Sequence, residues 1–207
     1  MICKACPRKC SAERTETAGA GFCGQGLRPR VARAALHLWE EPCISGKRGS
    51  GAIFFSGCTL KCVFCQNAEI SHGGKGIEIP VERLAEIMEE LEAQGAETIN
   101  LVTAGHFTGA LLQAFRQYRP HVPVVYNSSG YESVEVLRAL EGYVDVYLPD
   151  LKTLDSRMSG RLFGATDYPD TARQAILEMV RQTGPAVYQA DGIMRRGTLI
   201  RHLCCRG

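Results

Sequence analysis

The order of hydrophobic and polar residues changes along the chain, and from residue 51 onward two patterns alternate. Short apolar runs, which predict strands, are separated by stretches whose apolar residues recur every three or four positions, which predict amphipathic helices. Strands that alternate with helices favour a parallel sheet with right-handed connections, so we predict an α/β fold, a partial β/α barrel. The five predicted strands are Ala52–Ser56, Thr98–Thr103, Pro123–Tyr126, Val144–Leu148 and Leu199–Leu203.

Four helices are predicted between these strands. The first is Pro80–Gln94, which Gly95 is expected to end, and its core stripe is Leu84, Ile87, Met88 and Leu91. The second is marked by Leu111, Leu112, Phe115 and Tyr118 and ends before Pro120. The third is Glu132–Leu140, and the fourth is Asp170–Gln182 with the core stripe Ala172, Ala175, Ile176, Met179 and Val180.

Residues 1–50 differ from the rest in being rich in Cys, Arg and Gly, with little periodicity. We predict two units, a Cys-rich extension over 1–50 and a barrel over 51–207. The extension carries a C-x2-C-x3-C-x12-C pattern, and we call its members the N-terminal thiol set: Cys3, Cys6, Cys10 and Cys23. Four such cysteines can build a tetrahedral zinc site or hold an iron–sulfur cluster. We favour a metal over free buried thiols and leave the choice of metal open.

A second cysteine pattern, C-x3-C-x2-C, directly follows the first predicted strand. We call residues 57–67 the thiol loop; it carries Cys58, Cys62 and Cys65. A structural zinc site normally takes four ligands, and no fourth ligand lies nearby at the spacing of a zinc ribbon. A cube of four irons held by three cysteines keeps one iron without a protein ligand. The amino and carboxylate groups of S-adenosylmethionine can fill that position, whereas half of a zinc ribbon or a redox thiol pair is the simpler alternative.

Each predicted strand ends in a loop that carries polar or reactive side chains. Working residues of such folds gather where parallel strands end. The second strand leads to Thr103 and His106, the third to Asn127 and Ser128, the fourth to Asp150 and Lys152, and the fifth to Arg201 and His202. We expect these residues to lie at one edge of the sheet. The two histidines, taken singly, are more often structural than catalytic.

The thiol loop, with Phe64 just before its last cysteine, resembles the radical S-adenosylmethionine (radical SAM) enzymes. Further segments resemble the branch that contains pyruvate formate-lyase activating enzyme. They are Glu41-Pro42-Cys43-Ile44-Ser45-Gly46, Phe54-Phe55-Ser56-Gly57-Cys58, Phe64-Cys65-Gln66-Asn67, Asn100-Leu101-Val102-Thr103, Tyr147-Leu148-Pro149-Asp150-Leu151-Lys152 and Arg201-His202-Leu203. The resemblance runs over nearly the whole chain, and it implies the same partial β/α barrel.

The resemblance also implies a set of roles. The three cysteines of the thiol loop would ligate a [4Fe–4S] cluster, whose reduction would cleave S-adenosylmethionine to methionine and a 5′-deoxyadenosyl radical. Phe64 would lie near the adenine, and the Asp-x-Lys motif formed by Asp150 and Lys152 would lie at the active site. Lys152 can pair with the cofactor carboxylate, and Arg201 can add a bidentate contact. Asn127 stands where activating enzymes carry an acidic residue, which weakens any cation site there.

Two features depart from the family pattern. Many members end the second strand in Gly-Gly-Glu-Pro, which holds the methionyl amino group, and the related branch has Thr-Pro-Thr-His. This chain has Thr103-Ala104-Gly105-His106, so the amino group must find acceptors such as Thr103. The relatives continue past Arg-His-Leu with Leu-Pro-Gly and further strand–helix units, whereas this chain ends in Leu203-Cys204-Cys205-Arg206-Gly207. We therefore expect a frameshifted or truncated product with an incomplete barrel.

By resemblance, the chain would activate a glycyl-radical enzyme such as pyruvate formate-lyase by abstracting hydrogen from a glycine. The electron would come from reduced flavodoxin or ferredoxin. One alternative keeps the radical chemistry and changes the substrate. Another is a non-enzymatic product, either an electron-carrying iron–sulfur protein or a truncated, inactive fragment.

Composition narrows the setting in which this chemistry would take place. A net charge of +2 gives no reason to expect nucleic acid or a membrane surface as a partner. No apolar run is long enough to cross a bilayer, and the first residues lack the apolar core of a signal peptide. Ten cysteines without a secretion signal indicate a reducing cytoplasm, with thiolates used as metal ligands.

Overall fold

A computed structural model of the chain describes residues 2–202. The described residues contain eight strands and seven α-helices. The strands are β1 (Arg30–His37), β2 (Ser50–Phe55), β3 (Ile77–Glu78), β4 (Ile99–Val102), β5 (Val124–Ser128), β6 (Val146–Pro149), β7 (Val187–Tyr188) and β8 (Met194–Thr198). The helices are α1 (Pro42–Ser45), α2 (Ala68–Ser71), α3 (Val81–Ala93), α4 (Thr108–Gln117), α5 (Val134–Ala139), α6 (Ser156–Phe163) and α7 (Tyr168–Thr183).

The strands form one mixed sheet in the order β3-β1-β2-β4-β5-β6-β8-β7. The run from β2 to β8 is parallel, whereas β1, β3 and β7 pair antiparallel with their neighbours at the two sides of the sheet. A parallel-dominated sheet with helical crossovers confirms the predicted partial β/α barrel. Because parallel strands end at the same edge, the loops after β2, β4, β5 and β6 are brought together.

The predicted helices and the first four predicted strands agree with the structure to within two residues wherever both bounds were predicted. The stripe predicted for α3 is fully buried against the sheet. In α7 the predicted stripe is also buried except for Val180, which is 44% exposed because it lies on the solvent side of the helix. Tyr118, expected in the second helix, follows the end of α4 in extended conformation, and its hydroxyl donates to Glu92 Oε2 at 2.7 Å.

The fifth strand begins earlier than its apolar residues indicated. β8 is Met194–Thr198, not Leu199–Leu203, because Met194 supplies the buried side chain in the inner core, where it joins Val146 and Leu148. The backbone nevertheless keeps bonding to β6 beyond β8. Leu199 N donates to Tyr147 O and Arg201 N donates to Pro149 O, each at 2.9 Å. Arg201 therefore reaches the carboxyl edge of the sheet as predicted; Leu203 lies outside the described residues.

The sequence pattern did not predict several of these elements, of which the two longest are β1 and α6. β1 lies within the Cys-rich extension and pairs with β2, so residues on both sides of position 50 belong to one sheet. The division of the chain into an extension and a barrel stays a prediction. The second element, α6, begins at Asp155, whose carboxylate accepts from two backbone N–H groups, and ends at Gly164 in left-handed conformation. In residues 2–202 no helix has both the length and the apolar character needed to span a membrane.

Candidate functional site

The thiol loop leaves the carboxyl end of β2 through a tight turn at Gly57. Gly57 has φ of +78°, and a Cβ there would stand 2.7 Å from the carbonyl oxygen of Cys23. Only glycine suits both the left-handed backbone and this close approach. The turn places Cys58 and Cys62 in buried positions and leaves Cys65 partly accessible. The backbone N–H of Leu60 points at Cys58 Sγ, 3.3 Å away.

Burial controls the protonation of the thiols in this loop. It raises the pKa of Cys62 to about 12, against the lowering effect of the Lys152 ammonium, and it raises the pKa of Cys58 as well. A negative charge on Cys58 or Cys65 would raise the pKa of Cys62 further, so the three thiols interact. Cys58 and Cys62 are therefore neutral at pH 7 unless a metal binds. Metal binding therefore releases protons from this loop.

A polar network faces the thiol loop, with Arg201 at its centre. Arg201 Nη2 donates to Asn127 Oδ1 at 2.8 Å, Nη1 donates to Glu40 Oε1 at 2.9 Å, and Nε donates to Asp150 Oδ1 at 2.9 Å. Asn127 in turn donates from Nδ2 to Glu40 Oε2 at 2.9 Å. These contacts join the carboxyl ends of β5 and β6 to the segment after β1. The guanidinium is fixed in orientation because each of its three nitrogens donates to a partner.

The loop after β6 holds Lys152 and Asp150 as an ion pair, with Lys152 Nζ 2.6 Å from Asp150 Oδ2. Tyr168, which is fully buried at the start of α7, holds the backbone of this loop in place. Its hydroxyl accepts from the backbone N–H of Lys152 at 2.8 Å and lies 2.8 Å from the carbonyl oxygen of Asp150. The Lys152 side chain is only 13% exposed, so its charge acts in a partly desolvated setting.

One cavity of about 590 Å³ collects these groups, a volume in the range of small-molecule sites. The nine residues to which the resemblance gave a cofactor-binding or catalytic role all line it: Cys58, Cys62, Phe64, Cys65, Thr103, Asn127, Asp150, Lys152 and Arg201. Ser128 and His202 line it as well. The carboxyl edge of the sheet thus brings the thiols, two cations and the polar loops into one space.

Thr103 and Phe64 both line the cavity. Thr103 directly follows β4 and has φ of +59°, a left-handed conformation that is uncommon for a β-branched residue, and its N–H donates to Asn127 O at 2.9 Å. Strain of this kind tends to persist at functional sites. Phe64 is half-buried and touches Phe163 edge-on, with ring centroids 6.5 Å apart. Phe64 also borders the cavity beside the cysteines.

The two histidines considered from the sequence differ in placement. His106 is buried away from the cavity lining, with Nε2 2.8 Å from Ser56 O and its own carbonyl oxygen bonded by Arg14 at 2.7 Å. Burial lowers its pKa to about 4, so it stays neutral and acts as a structural residue. His202 is exposed at the cavity rim, where Nδ1 contacts the carbonyl oxygen of Leu151.

Glu40 is the main site residue that sequence reasoning missed. Its carboxylate accepts from Asn100 as well as from Asn127 and Arg201, and Glu41 lies beside it, 3.6 Å from Arg201 Nη1. Burial raises the pKa of Glu40 and the Arg201 charge lowers it. The signal available in the sequence was an acidic pair before Pro42, beside Trp39, the single tryptophan of the chain. The segment from Glu41 onward was noted only for its family resemblance, and Glu40 was given no role.

Within residues 2–202, no three His, Cys, Asp or Glu side chains are close enough together to hold a single metal ion. A cube of four irons binds each thiolate through a different iron, so it does not require three ligands around one metal ion.

A comparison with protein families matches residues 52–192 to the radical SAM superfamily, and the chain belongs to this superfamily. Members use a [4Fe–4S] cluster and S-adenosylmethionine, so these are its cofactors. The uncharacterized protein MJ0674 of Methanocaldococcus jannaschii is 30% identical over 214 residues. The alignment covers 98% of this chain and 58% of that relative, so the chain spans little more than half of its length.

The cavity fits these cofactors. Three thiols on one loop meet the needs of an iron–sulfur cube, and the neighbouring Lys152 and Arg201 supply positive charge for the carboxylate of an amino acid group. Phe64 offers a ring face for a purine. Thr103 and Asn127 add hydroxyl and amide groups at the same edge.

Proposed function

We propose that the cavity binds the cluster through Cys58, Cys62 and Cys65 and binds S-adenosylmethionine beside it. The observation that carries this proposal is the meeting of all nine predicted site residues in one cavity. When bound and reduced, the two cofactors supply a 5′-deoxyadenosyl radical. The residues of this chain bind them, hold them in orientation and limit the access of water.

Each polar residue has a separate part in this proposal. Lys152 neutralises the cofactor carboxylate, and Asp150 keeps the ammonium group in place through their 2.6 Å contact. Arg201 supports the same carboxylate or the ribose, held by Glu40 and Asn127. Thr103 offers its hydroxyl to the methionyl amino group, because its loop has no carboxylate at this position. Phe64 packs against the adenine.

We further propose that the substrate is a glycine of a partner glycyl-radical enzyme such as pyruvate formate-lyase. The resemblance of the flanking segments supports this substrate class. A second support is the rim of the cavity, where Trp39 is 88% exposed and Leu38 beside it is 55% exposed, apolar surface of the kind that contacts a polypeptide. The reaction would take place in the cytoplasm, with reduced flavodoxin or ferredoxin as the electron donor.

Anaerobic reconstitution tests the proposal in two stages. The reconstituted protein, given reductant and S-adenosylmethionine, is expected to release 5′-deoxyadenosine, and Cys58→Ala is expected to abolish the release. Cys43→Ala, which changes a thiol outside the cavity lining, is the matched control. Absence of 5′-deoxyadenosine from protein with a full cluster would contradict the proposal. In the second stage, a glycyl-radical signal in the partner supports the substrate, whereas 5′-deoxyadenosine without that signal assigns the radical to another substrate.

A further inference from the structure

The segment after the thiol loop folds back against it and forms the short helix α2. The backbone N–H of Gly57, the first residue of the loop, donates to the carbonyl oxygen of Ile70 at 3.0 Å and closes the loop at its base. The hydroxyl of Ser56 donates to Lys75 O at 2.5 Å and holds the end of the same segment beside β2. Ser71, the last residue of α2, is therefore held in a fixed position, where it is buried and lines the cavity.

Ser71 lies between a thiol of the loop and an exposed imidazole. Its Oγ is 3.2 Å from Cys65 Sγ, a hydrogen-bond distance for sulfur, and 2.8 Å from Nδ1 of His72. Because His72 is exposed, these three groups form a continuous chain of hydrogen bonds from the solvent to the sulfur. The sulfur of Cys58 is met by a backbone N–H, that of Leu60, whereas the sulfur of Cys65 is met by a side chain that can be substituted.

A metal on Cys65 would fix the direction of these hydrogen bonds. A thiolate bound to iron has no hydrogen and can only accept, so the single hydrogen of the Ser71 hydroxyl must point at Cys65 Sγ. The lone pairs of Ser71 Oγ then face the imidazole, and Nδ1 of His72 must carry a hydrogen. Both hydrogen bonds therefore point toward the sulfur, and each strengthens the other.

We infer that Ser71, supported by His72, raises the reduction potential of the cluster through Cys65. The inference rests on the proposed function, in which Cys65 binds the cluster. Reduction transfers one electron from the external reductant to the cluster and moves no proton, so the negative charge on the thiolate ligands increases. A hydroxyl hydrogen directed at Cys65 Sγ stabilises the reduced state more than the oxidised state, as hydrogen bonds to cluster sulfurs do in general. Ser71 acts through Cys65 and does not itself bind iron.

The midpoint potential of the cluster tests this inference without a measurement of activity. Anaerobically reconstituted protein is titrated with reductant in the absence of S-adenosylmethionine, and electron paramagnetic resonance follows the reduced cluster. Ser71→Ala is expected to lower the equilibrium constant for reduction about tenfold, a fall of about 59 mV for one electron. Ser50→Ala is the matched control, because it removes a buried hydroxyl at the opposite end of β2, and it should keep the wild-type potential. Equal potentials in the two variants overturn the inference.

His72→Ala is a second variant, and its exposed position makes loss of the fold no concern. It keeps the Ser71 hydroxyl but removes the donor behind it, so its potential is expected to lie between those of the wild type and Ser71→Ala. His121→Ala, which removes an exposed imidazole outside the cavity lining, is the control and should match the wild type. If Ser71→Ala holds no cluster, a wild-type potential in His72→Ala overturns the inference.

A further measurement detects the hydrogen bond to the sulfur directly. Electron–nuclear double resonance of the reduced cluster, in H2O and in D2O, identifies exchangeable protons close to the cluster sulfurs. The wild type is expected to show an exchangeable proton that Ser71→Ala lacks, and identical spectra overturn the inference. A wild-type protein that binds no cluster contradicts the proposed function. Formation of 5′-deoxyadenosine together with unchanged potentials in Ser71→Ala and His72→Ala contradicts this inference alone.

Discussion

Arg201 Nη1 donates to Glu40 Oε1 at 2.9 Å and so joins two residues that are 161 positions apart. The same carboxylate also accepts from two asparagine side chains, on β4 and β5. Glu40 is thus the group that holds the guanidinium over the cavity. Its role in the proposed function is to position Arg201, not to touch the reacting atoms.

Glu40→Gln is expected to weaken the binding of S-adenosylmethionine about tenfold, because a charged acceptor of Arg201 becomes a neutral one, a change of about 1.4 kcal/mol. Calorimetric titration of the reconstituted protein would measure it. Glu82→Gln, on the exposed first turn of α3, is the control and should bind as the wild type does. Equal affinities of the Glu40→Gln variant and the control would show that Glu40 does not contribute to the binding of S-adenosylmethionine.

Gly57→Ala is expected to destabilise the protein by more than the left-handed conformation alone would cost. A Cβ at Gly57 meets the backbone of Cys23, whereas a Cβ at Gly142, with a similar φ of +82°, meets nothing within 4 Å. Gly142→Ala should therefore cost about 1–2 kcal/mol, and Gly57→Ala should cost about 1–3 kcal/mol more. Chemical unfolding of the two variants measures the difference. Similar losses would show that the contact with Cys23 is unimportant.

Thr103 combines a strained backbone with a hydroxyl group, and two substitutions separate these properties. Thr103→Gly should be about 1 kcal/mol more stable than Thr103→Ala, because glycine adopts φ of +59° without strain. Both variants lack the hydroxyl, so both are expected to bind S-adenosylmethionine more weakly than the wild type. Chemical unfolding measures the difference in stability, and calorimetric titration measures the affinity for S-adenosylmethionine. Unchanged binding in both variants would exclude the hydroxyl as a ligand of the amino group.

Glu132, beside the thiol loop, is expected to make stability fall as pH rises. Burial raises the pKa of this carboxyl from 4.5 to about 8, so the folded chain keeps a proton that the unfolded chain releases. The stability it contributes is complete below about pH 4.5 and is lost as the pH rises to about 8, by an amount on the order of a few kcal/mol.

Glu132→Gln should remove this dependence, since the amide stays neutral throughout. Urea unfolding at pH 5, 6.5 and 8, values that span the interval between the two pKa values, would compare it with wild type and with Glu135→Gln, an exposed neighbour on α5. Parallel pH profiles for all three proteins would contradict the assignment of Glu132 as the responsible group.

Arg8→Ala should loosen the thiol loop, since it removes the charged donor to Thr59 O and to Phe163 O, the latter at 2.6 Å. A loss of about 2–3 kcal/mol in unfolding free energy is expected, together with faster loss of iron from the loop cluster under chelation. Arg116→Ala, on the exposed face of α4, is the control. If iron leaves both variants at the same rate, Arg8 has no part in holding the loop.

The order of strands and helices could be predicted because the spacing of apolar residues follows which side of each element is buried. The location of the site could be predicted because parallel strands end at one edge of the sheet. The sequence pattern misplaced the fifth strand, since Leu199 and Ile200 are more apolar than the residues of β8 that actually pair, with Met194 carrying the inner core. It did not reveal β1, where Arg30 and Arg33 interrupt any alternation. The role of Glu40 could not be predicted from the sequence because its hydrogen-bond partners lie far away in the chain.

The bond between Glu40 and Arg201 also sets when the cavity wall is completed. Both residues lie outside the stretch matched to the superfamily, one on each side of it. A nascent chain therefore carries the thiol loop well before the ribosome reaches Arg201. In the proposed function, tight capture of S-adenosylmethionine would have to wait until Arg201 has been added and has paired with Glu40.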